Sequence, residues 1–265
     1  MFKKKSLGQH FLRSQTALAA IVSALDPAGD DIVLEIGPGE GVLTEKILPY
    51  AAKVICIEKD SRLIPILKEK FADYIEAGKL DLIEGDALEF DPTLLKSYGL
   101  TTFDYKTVGN IPYYITGALI EKFLSSETQP SRLVFLVQKE VAQRIAREKK
   151  ESILSLSVKV YGTPRYVKTV PAGAFSPPPT VDSAILSIEN ISRKNFVDDD
   201  HEKRFFALLH AGFAHKRKLL KRNLEVVLGE GTEAVFAKVG IPAQARAEDI
   251  ELERWLALAK DSFRP

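Results

Sequence analysis

The sequence has few of the features that mark specialised classes of protein. It contains one cysteine in 265 residues, so an internal disulfide is impossible, and Cys56 lies in the apolar run VICIE, which predicts a buried side chain. No apolar run approaches the length of a membrane span, and the start MFKKKSLGQHFL lacks the apolar segment of a secretory signal. We therefore expect a soluble, cytoplasmic protein, and we assign no metal site.

Net charge gives equally little indication of a partner, because it is only +1. The distribution of basic residues is more informative, since five cations lie in the helical-looking stretch HAGFAHKRKLLKRNL and three lysines open the chain. Such local clusters on a neutral protein fit a phosphate backbone, although a solvated helix face is the alternative. The two clusters are Lys216, Arg217, Lys218, Lys221 and Arg222, and Lys3, Lys4 and Lys5.

Short β-branched runs alternate with amphipathic helical stretches over the first two-thirds of the chain. The predicted strands are DIVLEIG, KVICIEKD, LDLIEGDAL, YKTVGNIP and SRLVFLVQ, and helical periodicity marks GVLTEKILPYA, SRLIPILKEKFADY, TGALIEKFLSS and KEVAQRIAREK. This alternation predicts an α/β fold, with a parallel sheet that carries helices on both faces. PRYVKTVPAGAF and DSAILSIEN have no clear helix between them, which predicts a hairpin at the sheet edge.

The pattern changes after ENISRKNFVDDD. From His201 onward only helical periodicity remains, in EKRFFALLHAGFAHKRKLLKRNL, EAVFAKVG and ELERWLALAK. The polar stretch from Ser192 to Asp200 is therefore the best candidate for a domain boundary. We predict a larger α/β domain over residues 1–192 and a smaller helical domain over residues 193–265.

Three predicted strands end in residues that suit a nucleoside ligand. The first leads into the glycine turn EIGPGEG, which can approach a ligand closely and point the amides of the next helix at it. Glu58 follows the second strand, at the spacing of an acid that binds ribose hydroxyls, and Asp86 follows the third. Ligands of open parallel sheets bind where such strand ends converge. The pattern predicts a site for adenosine with a tail, as in NAD or S-adenosylmethionine.

The stretch VGNIPYYITG distinguishes these two cofactors. Asn110 ends the fourth predicted strand, beside the place where a cofactor's reactive group would lie, and Pro112 stops the strand. The Asn110 amide oxygen and the Ile111 carbonyl can accept both hydrogens of an exocyclic amine, so that its lone pair develops toward an electrophilic methyl group. Tyr113 can stack on the base. The pattern favours methyl transfer from S-adenosylmethionine, and its alternative is a strand-to-helix turn capped by asparagine.

The motifs as a set resemble those of ribosomal RNA adenine dimethyltransferases of the KsgA type. LGQHFL, EIGPGEGVLT, VICIEKD, EGDAL, VGNIPYYIT, FLVQKEVAQRI and FSPPPTVDSAIL follow in that family's order over nearly the whole chain. The resemblance implies a Rossmann-like class I methyltransferase domain, with a seven-stranded and mostly parallel sheet, and a small all-α C-terminal domain for rRNA recognition. It also implies S-adenosylmethionine-dependent dimethylation of N6 on two adjacent adenosines near the 3′ end of small-subunit rRNA, in a pre-ribosomal 30S particle. We expect a monomer.

The resemblance also implies roles for individual residues. The implied catalytic residues are Asn110, Ile111, Pro112 and Tyr113. The implied cofactor contacts are His10, Leu12, Gly37, Gly39, Glu58, Asp86, Ala87 and Asn110, although many bacterial members have Asn where this chain has His10. The predicted RNA contacts are Tyr113 and Phe175 at the target base and, from the clustering of basic residues, Arg217, Lys218, Lys221 and Arg222. Phe175 would lie at the rim of the target pocket, on the face of the base opposite Tyr113.

Two other functions compete with this interpretation. Erythromycin-resistance methyltransferases of large-subunit rRNA share the cofactor site and an Asn-Ile-Pro-Tyr-like motif, but AGFAHKRKLLKRNL resembles the small-subunit enzymes. An RNA-binding assembly or transcription factor on the same scaffold could have lost acceptor or cofactor residues, and no such loss is evident. The motif FSPPPTVDS has a structural alternative, an edge loop stiffened by three consecutive prolines.

Overall fold

The structure, a computed structural model, describes residues 10–261, which form two compact units. One unit comprises the described residues up to Ala142 together with Thr163–Ile191. The other comprises Gln143–Gly162 and the described residues from Ser192 onward. The segment Gln143–Gly162 thus groups with the C-terminal helices, whereas the sequence boundary assigned it to the α/β domain. The assignment of separate tasks to two domains stays a prediction.

Over its described residues, the first unit contains nine strands. They are β1 (Phe11–Leu12), β2 (Ile32–Ile36), β3 (Lys53–Glu58), β4 (Leu80–Glu84), β5 (Tyr105–Asn110), β6 (Arg132–Gln138), β7 (Thr163–Val170), β8 (Phe175–Ser176) and β9 (Ser183–Glu189). Seven of them form one sheet in the order β4-β3-β2-β5-β6-β9-β7, and β1 pairs separately with β8. Strands β2 to β6 run parallel, while β9 is antiparallel to β6 and β7. The predicted α/β fold and edge hairpin are confirmed.

The central strands of the sheet are continuous apolar runs with nearly every residue buried, as expected of parallel strands covered on both faces. In β6 the whole stretch from Leu133 to Val137 is buried. The first helix packs against this core through one face, with Leu18, Ile21 and Leu25 at helical spacing. The helices that begin in this unit are α1 (Gln15–Leu25), α2 (Val42–Ile47), α3 (Ile64–Lys70), α4 (Ala72–Glu76), α5 (Thr116–Ser125) and α6 (Lys139–Ala146).

The second unit is helical. Its helices are α7 (Ile153–Lys159), α8 (Asp199–Phe213), α9 (Leu220–Leu228), α10 (Thr232–Val239) and α11 (Leu252–Asp261). The Asp198 side chain caps α8 by accepting from the His201 amide, and acidic residues in the first turn favour the same helix end. Trp255 is fully buried and stacks on Phe213, with ring centroids 5.8 Å apart. Among the described residues, no helix has the length and apolar character that a membrane crossing requires.

The basic stretch that was predicted as one helix is interrupted. Helix α8 ends at Phe213 and α9 begins at Leu220, with turns between them. The Asn223 side chain donates to the carbonyls of Gly212 at 2.6 Å and His215 at 3.2 Å, which satisfies the open end of α8. The prediction of a continuous helix was wrong because this cap, and the repulsion among consecutive cations, favour a turn there.

Candidate active site

The carboxyl ends of four adjacent strands meet at one cavity in the α/β unit. Strand β2 leads into Gly37, β3 ends at Glu58, β4 leads into Asp86 and β5 ends at Asn110. These strands are neighbours in the sheet, so their ends lie at the same edge. All predicted cofactor and catalytic residues line the cavity: His10, Leu12, Gly37, Gly39, Glu58, Asp86, Ala87, Asn110, Ile111, Pro112 and Tyr113. The structure therefore brings together residues that are 100 positions apart in sequence.

The turn between β2 and α2 forms one wall of this cavity. Gly37 and Gly41 have φ angles of 66° and 73°, in the left-handed region that favours glycine. A Cβ atom on Gly41 would lie 2.5 Å from the Phe71 ring, whereas one on Gly37 would meet no atom within 4 Å. The Gly37 amide donates to the Ile57 carbonyl at 2.9 Å, which ties the turn to β3. The backbone at Gly37 is thus left bare on the cavity side.

Glu58 is fastened to this turn by main-chain hydrogen bonds. Its Oε2 accepts from the Gly39 amide at 3.0 Å, and its Oε1 accepts from the Asp60 amide at 2.8 Å. The side chain is buried, and this desolvation raises the pKa of the carboxyl group. Each carboxylate oxygen has a second lone pair, so Glu58 can still accept hydrogen bonds from a diol at the cavity.

Asp86 presents a second carboxylate, at the end of β4. Its Oδ1 accepts from the Leu88 amide at 2.9 Å, which orients the side chain at the start of its loop. Its Oδ2 accepts from the Lys59 Nζ at 2.5 Å. The Lys59 ammonium group is the main reason that the pKa of Asp86 lies below its ordinary value. Asp86 is therefore an anion that already holds a cation.

The orientation of the Asn110 amide is determined by the N-terminal segment. Its Nδ2 donates to the main-chain carbonyl of His10 at 2.9 Å. A carbonyl oxygen can only accept, so this contact identifies the amide nitrogen and directs the Asn110 Oδ1 elsewhere. The Asn110 oxygen is therefore available as an acceptor in the cavity. This contribution from His10 was not anticipated from sequence, because it is made by a backbone atom.

His10 also contacts two of the predicted motifs through its side chain. Its ring stacks on Tyr113, with centroids 6.2 Å apart and planes 22° apart, and its Nδ1 lies 2.9 Å from the Pro177 carbonyl oxygen. The Tyr113 hydroxyl is within 2.7 Å of the Ser183 Oγ on β9. Partial burial is the main cause that raises the pKa of Tyr113. The Tyr113 ring is thus held from two sides.

Glu35 lines the same cavity and was missed as a site residue. It is 1% exposed, and its Oε2 accepts from the Thr44 Oγ1 at 2.6 Å and from the Cys56 Sγ at 3.5 Å. Burial raises the pKa of Glu35 to about 7. The sequence signal was an acid flanked by apolar residues in IVLEI, because burial of a charged side chain is costly unless it is paired or hydrogen-bonded. Cys56 is buried, as its run predicted.

Phe175 does not lie where the sequence prediction put it. Its side chain is 5% exposed, belongs to the apolar core and is not part of the cavity lining. The residue pairs with Leu12 across β1 and β8, and this pairing turns the ring inward, where burial of an apolar surface is favourable. The rim position is therefore corrected, and stacking on a base stays a prediction that requires the ring to leave the core.

The C-terminal basic cluster divides into paired and unpaired residues. Lys221 contacts the Glu233 carboxylate closely and lies 3.9 Å from Glu225. The other four members, Lys216, Arg217, Lys218 and Arg222, are exposed and make no ion pair among residues 10–261. Lys221 is already neutralised within its own unit, so these four are better candidates for phosphate contacts. The N-terminal cluster of Lys3, Lys4 and Lys5 lies outside the described residues.

The donors and acceptors of the cavity suit S-adenosylmethionine. Ribose hydroxyls and the adenine amine both present hydrogen-bond donors, and the carboxylates of Glu58 and Asp86 present acceptors after successive strands. The bare backbone of Gly37 leaves room for the tail of such a ligand beside β2. Asn110 and Tyr113 line the same cavity, so an acceptor and an aromatic ring are close to the tail. The residues present therefore fit an adenosyl cofactor with a reactive tail.

Comparisons with a family model and with individual relatives agree on one protein family. A model of the ribosomal RNA adenine dimethylase family matches residues 1–262. The chain is 41% identical to ribosomal RNA small subunit methyltransferase A of Dehalococcoides mccartyi, over 96% of this chain and 87% of the relative. It is 37% identical to the protein of the same name from a Nostoc species, over 97% and 96% of the two chains.

Solved structures agree with the fold. A dimethyladenosine transferase from Plasmodium falciparum superposes with a TM-score of 0.79 at 28% identity, over 94% of this chain and 96% of the other. The 23S rRNA methyltransferase ErmE superposes with a TM-score of 0.75 at 25% identity, over 94% and 98%. Both comparisons extend over nearly the whole of each chain.

Proposed function

The chain belongs to the ribosomal RNA adenine dimethylase family, and we propose that it dimethylates N6 of two adjacent adenosines near the 3′ end of small-subunit rRNA. S-adenosylmethionine, when bound, supplies the electrophilic methyl group. The adenine amine is a poor nucleophile because its lone pair is delocalised into the ring. The protein must therefore hold the amine so that this lone pair develops toward the methyl group.

The cofactor would be held by the ends of β2, β3 and β4. Glu58 accepts from the ribose hydroxyls, and Asp86 accepts from the amine of the cofactor's adenine. The bare turn at Gly37 accommodates the methionine portion. The remaining contacts proposed for the cofactor are His10, Leu12, Gly39, Ala87 and Asn110, which line the same cavity.

The orientation of Asn110 is the observation that best supports this chemistry. Its Nδ2 donates to the His10 carbonyl, so its Oδ1 is left to accept a hydrogen bond, and an adenine amine can donate one. The Ile111 carbonyl supplies the second acceptor, and Pro112 fixes the backbone that carries it. Preorganised acceptors of this kind act chiefly in the transition state, as positive charge develops on the nitrogen. Tyr113 stacks on the base, and its ring is already held by His10 and Ser183.

The choice between the small and the large ribosomal subunit rests on sequence rather than on fold. ErmE, an enzyme of 23S rRNA, has a similar fold at 25% identity. The relatives at 41% and 37% identity are named for the small subunit. We therefore infer small-subunit rRNA as the substrate, recognised in a pre-ribosomal 30S particle by a monomeric protein in the cytoplasm. Arg217, Lys218 and Arg222 supply contacts to its phosphates.

The test is methyl transfer from labelled S-adenosylmethionine to purified small subunits that lack the modification, with the methylated nucleotides then mapped. The wild-type protein should label N6 of two adjacent adenosines near the 3′ end. Asn110→Ala should lose about a hundred- to thousandfold in rate at saturating cofactor and substrate, the usual cost of one preorganised group. Gln138→Ala is the matched control, because Gln138 ends the neighbouring strand β6 and does not line the cavity.

Three results would contradict the proposal. Labelling of 23S rRNA in large subunits, with none in small subunits, would assign the protein to the other substrate. Turnover of Asn110→Ala equal to that of Gln138→Ala, at saturating substrate, would remove the acceptor role from Asn110. Absence of cofactor binding by the wild-type protein would favour a non-enzymatic RNA-binding factor.

A further inference from the structure

Lys59 occupies the acceptor that the proposed adenine site needs. It follows the last residue of β3, lines the cavity and contacts the Asp86 Oδ2 at 2.5 Å. The Lys59 side chain is 53% exposed, whereas the Asp86 side chain is only 18% exposed. The cation thus closes the carboxylate from the solvent side. The sequence pattern predicts site roles for Asp86, the partner in this contact, and for Glu58, which precedes the lysine, but none for Lys59 itself.

Each carboxylate oxygen of Asp86 already accepts one hydrogen bond, and one of the two donors is a cation. Its Oδ1 is used by the Leu88 amide, which belongs to the loop itself and holds the side chain in place. Its Oδ2 is the better oxygen for an incoming amine, and Lys59 is bound to it. A neutral amine is a weaker donor to a carboxylate than an ammonium group. An adenine amine must therefore displace Lys59 from Oδ2 or share a weakened oxygen with it.

We propose that Lys59 is a positioning residue that competes with the cofactor's adenine for Asp86 and so sets the affinity of the site for adenosyl ligands. The inference rests on the proposed function, because it takes Asp86 as the adenine acceptor. S-adenosylmethionine and the product S-adenosylhomocysteine carry the same adenine, so Lys59 weakens the binding of both by the same factor. A weaker product complex favours release of the product between successive methyl transfers.

A purely structural role for the ion pair is a poor explanation. Exposed pairs contribute little to folding, and the Leu88 amide orients Asp86 without help from the lysine. Lys53 provides an internal comparison, since it begins the strand that Lys59 follows and pairs with Asp81 at 2.9 Å. Lys53 lies at the opposite end of β3 from the cavity. Loss of its ion pair should therefore leave the cofactor site unaffected.

The experiment is calorimetric titration of S-adenosylmethionine and S-adenosylhomocysteine into four single or double variants and the wild type. The variants are Lys59→Met, Lys53→Met, Asp86→Asn and the double variant Lys59→Met/Asp86→Asn. Methionine keeps the length of the lysine stem, and asparagine keeps an acceptor oxygen without the charge that holds Lys59. Lys59→Met should bind both ligands about two- to fivefold more tightly, the range expected for release of one exposed ion pair.

The double variant distinguishes two causes of tighter binding: loss of the competition between Lys59 and adenine for Asp86, and new contacts between the methionine side chain and the ligand. In the Asp86→Asn background, Lys59→Met should produce no tightening, because the ion pair is already lost. Raising the salt to about 1 M, where the Debye length is about 3 Å, should reduce the difference between wild type and Lys59→Met. Lys53→Met should bind like the wild type at every salt concentration.

Unchanged or weaker binding by Lys59→Met would overturn the proposed competition between Lys59 and adenine. Equal tightening by Lys59→Met in the wild type and in Asp86→Asn would overturn it as well. These outcomes leave the proposed function intact, provided that the wild type binds and the double variant binds more weakly than Lys59→Met. If the double variant binds like Lys59→Met, Asp86 is not the adenine acceptor, and the proposed cofactor contact fails together with this inference. If the wild type binds neither ligand, the proposed function itself fails.

Discussion

Replacement of Glu35 by glutamine should remove a pH dependence from the stability of the α/β unit. The carboxyl group is 1% exposed and lies beside Thr44 and Cys56, and its pKa is raised to about 7, mainly because burial disfavours the anion. Glutamine has nearly the same shape and keeps an oxygen that can accept from the Thr44 hydroxyl. The variant therefore removes the titration of residue 35 and leaves its packing nearly unchanged.

The sign and size of the effect follow from the two pKa values. In the unfolded chain the carboxyl group titrates near 4.5, so between 4.5 and about 7 only the folded protein holds the proton. Stability from this group is complete below 4.5 and is lost as the pH rises through 7. At about 1.4 kcal/mol for each pKa unit, the full loss is about 3 kcal/mol, most of it between pH 5 and pH 8. Glu35→Gln should not show this loss.

Urea unfolding of both proteins at intervals from pH 5 to pH 8 measures the difference. Glu45→Gln is the control, because Glu45 is an exposed carboxylate whose pKa is lowered by Lys70, so it stays ionised over this range. The free energy of unfolding of Glu35→Gln should rise relative to wild type by about 3 kcal/mol at the alkaline end. Parallel curves for wild type and Glu35→Gln would refute a neutral buried carboxyl group at neutral pH.

Other substitutions test the binding residues. Glu58→Ala should weaken S-adenosylmethionine binding about ten- to hundredfold by calorimetry, since one or two charge-assisted hydrogen bonds are lost. Tyr113→Phe should keep much of the methyl-transfer rate although it loses the contact with Ser183, whereas Tyr113→Ala should lose it, because stacking needs the ring. The triple change of Arg217, Lys218 and Arg222 to Ala should weaken binding to the small subunit and lower its salt slope by nearly one unit for each lost phosphate contact, measured by salt titration. Lys221→Ala, which breaks an internal ion pair, should change that slope much less.

The site residues at the strand ends could be predicted from sequence, because each one directly follows a recognisable strand. A parallel sheet places the carboxyl ends of its strands at one edge, so the residues that follow DIVLEI, KVICIE, LDLIE and YKTVGN must converge once the strands are recognised. Gly37, Glu58, Asp86 and Asn110 needed no further information to be placed in one cavity. Glu35 needed more, because an acid in a strand can point to either face of the sheet.

The positions that could not be predicted depend on contacts between distant segments. Phe175 pairs with Leu12 across β1 and β8, two strands of two residues each, which are too short to give a periodic pattern. The turn after α8 depends on a side-chain cap from Asn223, a residue of the following helix. Lys221 and Glu233 likewise meet only because α9 and α10 pack together. Sequence spacing does not encode such pairings directly.

The contact between His10 and Asn110 explains how the site can tolerate a change at residue 10. The hydrogen bond that orients the Asn110 amide comes from the His10 carbonyl, so any residue at this position can make it if the backbone keeps its path. That path is secured next door, where Phe11 and Leu12 pair with Ser176 and Phe175. The His10 ring adds a stack on Tyr113 and a contact with the Pro177 carbonyl, which an asparagine could replace only in part. The side chain at position 10 therefore affects the packing around Tyr113, while the main-chain carbonyl at this position preserves the orientation of the Asn110 amide.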